Sequence, residues 1–462
     1  MRALSLIGLL LFPLLTLQGA PKNIVLLMAD DLGQEALSIS GSASTETPHL
    51  DQLAQDGVRF LHAYAQPLCT PSRVKIMTGL SNRRNYRHFG YLDVQAQTFA
   101  QDLATLGYHT GIVGKWQLNG RTIDSELEPL TRPRHFGFET WRLWQLADSG
   151  RLTPAETGLD KRIDARYANP VLNTDGDQLG PLMDEYGPEL CLEWAIERIE
   201  EWSQSDRPFF LYFPMILTHS PFYPTPLSEE WAEKEARLSS GGQKQKFFAD
   251  MVGYTDHIVG ELRQTLDRLN LGEDTWLMFT GDNGTDQGIT TTMRSGEVVR
   301  GGKSKTINRG HHVPFVAWRE GVADPGRVSD ELIDFADLCP TIWDLAEIPD
   351  AERRPTDGVS FAAELEAIPN DREKSSVYIF YSANKVPAGG SHESESSPAF
   401  TEFVRDQRFK LYGDGRFFDV VEDPEETSPL NLEALPDEAR LTLAEFRIEL
   451  EKWQAIPDGL TQ

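Results

Sequence analysis

The stretch Asn23-Ile24-Val25-Leu26-Leu27-Met28-Ala29-Asp30-Asp31 sets the architecture. Its apolar run has no polar alternation, so it reads as a strand buried on both faces, as in a parallel sheet. Two carboxylates follow at once, at the strand end where open α/β sheets bind ligands. The pattern repeats outward. Thr47-Pro48 reads as an N-cap with a proline in the first turn, and Gly57 closes that helix. Val58 to Ala65 is a second strand, Thr98 to Leu106 a helix ended by Gly107, and Thr110 to Val113 a short strand running into Gly114-Lys115. Glu189 to Trp202 is an amphipathic helix, and Pro208 to Leu217 a strand running into Thr218-His219. Lys244 to Leu269 is a long helix, and Asp274 to Thr280 a strand running into Gly281-Asp282-Asn283. Alternating strand and helix predicts a wound α/β sheet. Several strands that each end in chemically useful residues predict one site along their carboxyl ends.

Beyond about residue 370 the pattern changes. After a polar loop at Ser391–Ser397, Phe403–Arg405, Phe409–Tyr412 and Arg416–Asp419 read as short antiparallel strands, with a tight turn at Gly413-Asp414-Gly415. Ala439 to Ala455 reads as a terminal helix. At the other end, Met1-Arg2, the apolar Ala3–Leu17 and the exit Gln18-Gly19-Ala20 have the layout of a secretory signal. The run is too short to favour a membrane span, and no other stretch could cross a bilayer. The expected division is a signal peptide over 1–20, a main α/β domain over 21–370 and a smaller packed α+β subdomain over 371–462. The expected location is secreted or periplasmic.

With 71 acidic against 44 basic residues the net charge is −27, which argues against nucleic acid as a partner. An anionic substrate is not excluded, because surface charge is screened within about 8–10 Å and a pocket needs only a local group of cations. The cysteines are Cys69, Cys191 and Cys339. If Cys69 is chemically occupied, the other two either pair or sit buried and reduced.

Asp30, Asp31, Asp282 and Asn283 form an all-oxygen set suited to a hard cation such as Ca²⁺ or Mg²⁺. Taken singly, each pair is explained as well by a turn or a helix cap. Between them lies Pro67-Leu68-Cys69-Thr70-Pro71-Ser72-Arg73, continuing into Val74-Lys75-Ile76-Met77-Thr78-Gly79. Here a cysteine precedes a proline that can open a helix, whose first N–H groups would point at an anion.

Cys69-x-Pro71-Ser72-Arg73 followed by Thr78-Gly79 resembles the maturation signature of the type I, formylglycine-dependent sulfatases of the alkaline phosphatase-like superfamily. The resemblance extends to Gly114-Lys115-Trp116, to His219-Ser220-Pro221, and to Gly301-Gly302-Lys303 ahead of Val313-Pro314. It also covers Asp337–Ala346, Asp357–Ser360 and Phe418–Glu425, and Met293–Pro314 looks like a subgroup of bacterial carbohydrate sulfatases. The implied fold is a large mixed, mainly parallel sheet flanked by helices, with a short antiparallel sheet in the C-terminal subdomain.

The resemblance also implies the chemistry. Cys69 is oxidised to formylglycine by a formylglycine-generating enzyme, and the hydrated aldehyde attacks the sulfur of a sulfate ester on a sugar. Its second hydroxyl then expels sulfate. Asp30, Asp31, Asp282 and Asn283, with residue 69, hold Ca²⁺, with Mg²⁺ as the alternative. Arg73 holds the geminal diol. Lys115, His219 and Lys303 contact the sulfate, and His219 or Lys303 protonates the leaving oxygen. The chain departs from the family at Gln117, where a histidine that serves formylglycine is usual. Glutamine can hydrogen-bond there but cannot act as a base at neutral pH. Another group is therefore expected on the substrate side, with His311 and His312 as candidates. Trp141, Trp144 and His135 lie where such families place substrate loops, though core packing explains them as well. Two further readings stay open: a phosphate or phosphonate ester hydrolase of the same superfamily, and a non-catalytic binder of sulfated glycan.

Overall fold

The computed structural model describes residues 23–457 apart from 120–126, 145, 147–150, 153–162, 234–235, 239–240, 370–371 and 383–399. The expected signal peptide and the Ser391–Ser397 loop lie outside the described residues. The main sheet has ten strands: β1 Asn23–Ala29, β2 Val58–Tyr64, β3 His109–Lys115, β4 Thr140–Trp144, β5 Leu172–Thr174, β6 Asp177–Leu179, β7 Phe209–Pro214, β8 Thr275–Gly281, β9 His312–Trp318 and β10 Arg327–Asp334. Their order is β10-β2-β9-β8-β1-β7-β3-β4-β5-β6. The centre, β8-β1-β7-β3-β4, is parallel throughout, while β9 runs antiparallel to both of its neighbours. The helices used below are α1 Pro48–Asp56, α2 Cys69–Thr78, α3 Asn82–Asn85, α4 Phe99–Thr105, α5 Gly187–Trp202, α6 Lys244–Arg268, α7 Leu338–Leu345 and α8 Asp437–Gln454.

The unbroken apolar run in β1 has a direct cause. Ile24, Leu26 and Met28 join one core with Val74 and Ile76 of α2, Leu103 of α4 and Trp343 of α7. Val25, Leu27 and Ala29 join a second core with Leu53 of α1, Ile199 of α5 and Val259 of α6. Helices cover both faces, so both sets of alternate residues must be apolar.

Register then fixes the site. Ala29 pairs with Gly281, so the next residues, Asp30 and Asp282, emerge side by side. The strand expected over 208–217 stops at Pro214. Beyond it Met215 donates to the Met28 carbonyl (2.8 Å) and Asp30 N to the Leu217 carbonyl (2.6 Å), which turns the chain across the end of β1 and delivers His219. Thr47 precedes α1 but makes no side-chain cap; its hydroxyl instead accepts from Ser38 N at 3.1 Å.

The C-terminal strands β11 Val377–Tyr381, β12 Thr401–Arg405, β13 Phe409–Tyr412 and β14 Phe417–Asp419 form a consecutive antiparallel sheet. One face packs under α8 through Phe409, Phe417 and Phe446, and the other packs on Tyr64 and Leu332 of the main sheet. Among the described residues no helix is long and apolar enough to cross a membrane. All three cysteines are buried and unpaired, so Cys191 in α5 and Cys339 in α7 form no disulfide; burial raises each of these two thiols to about 12.

Candidate active site

Cys69 is the first residue of α2, after the extended Leu68, and is 1% exposed. Ser72 secures the turn: its hydroxyl donates to the Leu68 carbonyl (3.0 Å) and accepts from Gln66 N (2.9 Å). At the far end Gly79 takes the left-handed conformation, φ +67°, and a Cβ there would strike Cβ of Cys339 at 2.7 Å. The Thr-Gly of the motif is thus a helix stop pressed against α7.

Around Cys69 the strand ends assemble a buried ionic cluster. Ligand atoms of Asp30, Cys69 and Asp282 lie within 4.8 Å of one another, as do those of Asp30, Asp31 and His219. Lys115 Nζ meets Asp30 Oδ2 at 2.6 Å and Lys303 Nζ meets Asp31 Oδ2 at 2.5 Å. Arg73 grips Asp282 Oδ2 through Nε (3.2 Å) and a terminal nitrogen (2.9 Å), and donates to the Lys115 carbonyl at 3.0 Å. Arg73 therefore holds an expected metal ligand directly. Asn283 Nδ2 donates to Asp31 Oδ1 (2.9 Å), which turns its own oxygen the other way.

Two buried oxygens in this cluster, Asp30 Oδ1 and Asn283 Oδ1, have no hydrogen-bond partner among the described residues. Buried oxygens without donors are costly, and a cation is the partner they lack. The electrostatics agree. Burial and the neighbouring Asp30 charge raise the Asp282 carboxyl to about 7, against the pull of Arg73 and Lys115. At Asp30 burial also opposes ionisation, but Lys115, His219 and Arg73 outweigh it and hold the carboxyl well below its usual range. Burial raises the Cys69 thiol, so at neutral pH an unmodified Cys69 is no thiolate nucleophile. Three carboxylates face three cations, Arg73, Lys115 and Lys303. A divalent ion added to that set leaves the pocket net positive, suited to an anionic sulfate group. The residues present thus fit a divalent cation, and the acidity of the whole chain does not reach this pocket.

His219 Nε2 stands 3.7 Å from Asp31 Oδ2. Arg166, which the sequence reading passed over, bridges His219 Nδ1 (2.7 Å) and the Ser220 carbonyl (3.0 Å) and lies 4.3 Å above the Trp144 ring. His219 Nδ1 also faces the Ser220 carbonyl at 2.5 Å, so the guanidinium and the carbonyl compete for the same ring nitrogen while Nε2 is left toward Asp31. Burial lowers this imidazole to about 4 despite Asp31 and Asp30, so it is neutral at pH 7. No periodicity marks Arg166; only its contacts reveal it. Gln117 follows β3 with φ +57°, its side-chain oxygen 3.5 Å from Thr70 Oγ1, beside the first turn of α2.

His311 and His312 correct an expectation. His311 Nε2 accepts from Arg405 (3.3 Å), with its ring against Tyr64 and Phe403. His312 Nε2 donates to the Leu61 carbonyl at 2.7 Å. Both belong to the joint with the C-terminal sheet, and none of these contacts reaches the ionic cluster. Burial and the nearby cation Arg405 lower both imidazoles, His312 to about 3. Trp141 is core, fully buried with its indole N–H on Asn173 (2.7 Å), and Trp144 lies buried under Arg166. His135 bonds the Val94 carbonyl at 2.6 Å.

A cysteine at a helix start, set among aspartates and buried cations at the carboxyl ends of a mixed sheet, defines a class. The chain belongs to the sulfatase family: the family model described as Sulfatase matches residues 22–348. Arylsulfatase A of Homo sapiens is 32% identical over 350 residues, covering 71% of this chain and 65% of the relative. N-acetylgalactosamine-6-sulfatase of Canis lupus familiaris is 31% identical over 371 residues, covering 74% and 66%. The match thus spans just under two thirds of these relatives' own length. Among solved structures, Ps i-CgsB in complex with k-i-k-neocarrahexaose superposes with a TM-score of 0.69 at 22% identity, covering 94% of this chain and 93% of that one.

Proposed function

We propose that the protein is an exported sulfatase that hydrolyses a sulfate ester on a carbohydrate. One observation carries the reading: Asp30 Oδ1 and Asn283 Oδ1, buried and without a hydrogen-bond partner among the described residues, lie in the cluster that also holds Cys69 and three buried cations. The related N-acetylgalactosamine-6-sulfatase and the neocarrahexaose complex support a sugar as the alcohol. The catalytic domain is assigned to 21–370 and the C-terminal subdomain to 371–462, with 1–20 as signal peptide.

Asp30, Asp31, Asp282, Asn283 and residue 69 would hold a divalent cation, Ca²⁺ or Mg²⁺. Such an ion polarises a sulfate oxygen and acidifies a bound hydroxyl, and formylglycine at position 69 supplies that nucleophilic hydroxyl. The remaining work falls to the chain. Lys115 and Lys303 each have three N–H donors; one serves the aspartate, and the others are free to meet sulfate oxygens as charge builds on them. Arg73 holds Asp282 in place and favours its ionised form against burial. His219, neutral at pH 7 with Nε2 turned toward Asp31, and Lys303, raised above its usual value against burial by Asp31, are the two candidate donors for the departing alkoxide. The motif around Cys69 implies a formylglycine-generating enzyme during synthesis.

The test is mass spectrometry of the Cys69 peptide from the native host, followed by turnover of a sulfate monoester beside its phosphate counterpart. Formylglycine with sulfate preference is expected. An unmodified thiol in native protein defeats the mechanism, and a phosphate preference reassigns the substrate. Binding of sulfated sugar without release makes the protein a glycan-binding member of the family.

A further inference from the structure

Gln117 leaves the nucleophile without the imidazole usual beside it, and no histidine among the described contacts fills that place. The segment from Asn82 to Gly90 does cover it. At one end Asn82 Nδ2 donates to the Pro71 carbonyl at 3.0 Å, and at the other Gly90 N donates to Thr70 Oγ1 at 3.1 Å. Both acceptors belong to the first turn of α2, beside Cys69. The segment is thus pinned across that turn from both sides, and Tyr86 sits midway between the pins, its own N–H closing α3 on the Asn82 carbonyl (3.2 Å).

Tyr86 is 0% exposed, and its hydroxyl has no hydrogen-bond partner among the described residues. Burial raises that hydroxyl and Cys69 and Tyr381 add to the rise, in keeping with a segment pinned at both ends to the turn that carries Cys69. The two tyrosines differ in kind. The Tyr381 hydroxyl is committed to the Ser304 carbonyl (3.3 Å), next to Lys303, and so helps hold a loop. The Tyr86 hydroxyl has no such commitment among the described residues. A buried phenol without a partner is expensive, and packing alone would be served better by phenylalanine. A phenol is protonated through the neutral range in any case, so toward an anion this hydroxyl can only donate.

We propose that Tyr86 is a catalytic residue, its hydroxyl donating a hydrogen bond to an oxygen of the sulfate group seated at residue 69. This deepens the sulfatase reading and rests on it. Tyr86 does not replace the missing base; it supplies a donor where Gln117 has removed a ring.

The experiment compares wild type with Tyr86→Phe, both carrying the same chemical state of Cys69 by mass spectrometry. Melting is recorded without added anion, inorganic sulfate binding by calorimetry, and kcat/KM on a sulfate monoester. Tyr86→Phe is expected to melt at or above the wild-type temperature, because it loses an unpartnered polar group. Its sulfate Kd should weaken about tenfold or more, the scale of a hydrogen bond to a charged group, and kcat/KM should fall by at least as much. An unchanged sulfate Kd overturns the proposal while the sulfatase reading stands. A lower melting temperature without anion also overturns it, since the hydroxyl would then be engaged inside the resting protein. A wild type that neither binds sulfate nor cleaves a sulfate ester removes the sulfatase reading and the proposal with it.

Discussion

Two regions of this protein bury lysines, and they do so differently. At the strand ends Lys115 and Lys303 face Asp30 and Asp31, with unpartnered oxygens left beside them on Asp30 and Asn283. Under the C-terminal sheet Lys410 is fully enclosed and saturated. It meets Glu426 (2.8 Å) and the Thr306 carbonyl, and lies 3.9 Å above the Phe403 ring. Its neighbours are settled too: Arg405 binds Asn308 (2.6 Å) and covers the Tyr64 ring, and Tyr412 bonds Thr306 (3.0 Å). Buried charge by itself therefore separates nothing. Buried carboxylate and amide oxygens left over beside the cations mark a place prepared for a ligand, whereas in the joint the charged groups are matched and only the neutral His311 Nδ1 lacks a partner among the described residues.

That contrast can be broken in several places. The largest effect is expected from removing the cation: chelation should abolish turnover, and Ca²⁺ or Mg²⁺ should restore it. At one hundred times its Kd the ion should also add about 2.7 kcal/mol to stability, read from the shift in melting. Turnover that survives exhaustive chelation, with metal analysis showing none retained, would remove the case for a prepared metal site. Lys303→Ala should lower kcat/KM by roughly 10²–10³, the loss expected for a donor to developing charge. Lys410→Met should instead cost about 3–5 kcal/mol in chemical denaturation, because Glu426 is left buried without its cation, keeping only the Tyr412 hydroxyl. Lys410→Met/Glu426→Gln should regain most of that, and its turnover per folded molecule should fall less than that of Lys303→Ala.

The joint also predicts a pH dependence. Burial pushes the Lys410 ammonium down to about 7, against the pull of Glu426, from an unfolded value near 10.5. Between those values the unfolded chain binds more protons than the folded one, so stability rises with pH. Wild type should accordingly gain on Lys410→Met/Glu426→Gln as denaturation is measured from pH 7 toward pH 10; a flat difference would show Lys410 charged throughout. The smallest effect belongs to Gln117→His. If another group already serves the nucleophile, this change should alter kcat by less than about tenfold, below the usual worth of a general base.

Much of the main sheet could be read from the chain because its physics is local. Strands covered on both faces announce themselves as unbroken apolar runs, as in β1, β7 and β8. Residues placed just past strand ends were legible for the same reason. Strand β9 was not, and Pro314 is the cause. A proline inside a run argues against a strand, yet here the register with β2 shifts between Val313 and Phe315, a bulge that accommodates it. His311 and His312 were drawn toward the site by type alone, and Arg405, nearly a hundred residues on, shows where they belong. Arg166 and Tyr86 left no periodic signal, because a contact or an unfilled valence exists only once distant segments meet.

The pairing of Ala29 with Gly281 also has a consequence in time. Asp30 and Cys69 leave the ribosome early, while Asp282 and the strand that positions it follow roughly 200 residues later. At about 5–20 residues per second that gap lasts on the order of 10–40 s. Until β8 inserts beside β1 the central sheet is incomplete, and Cys69 lacks the Asp282 side of its enclosure. Afterwards it is 1% exposed. Any enzyme that alters Cys69 works against that clock, so the order of synthesis, more than the finished surface, governs whether the residue is reached.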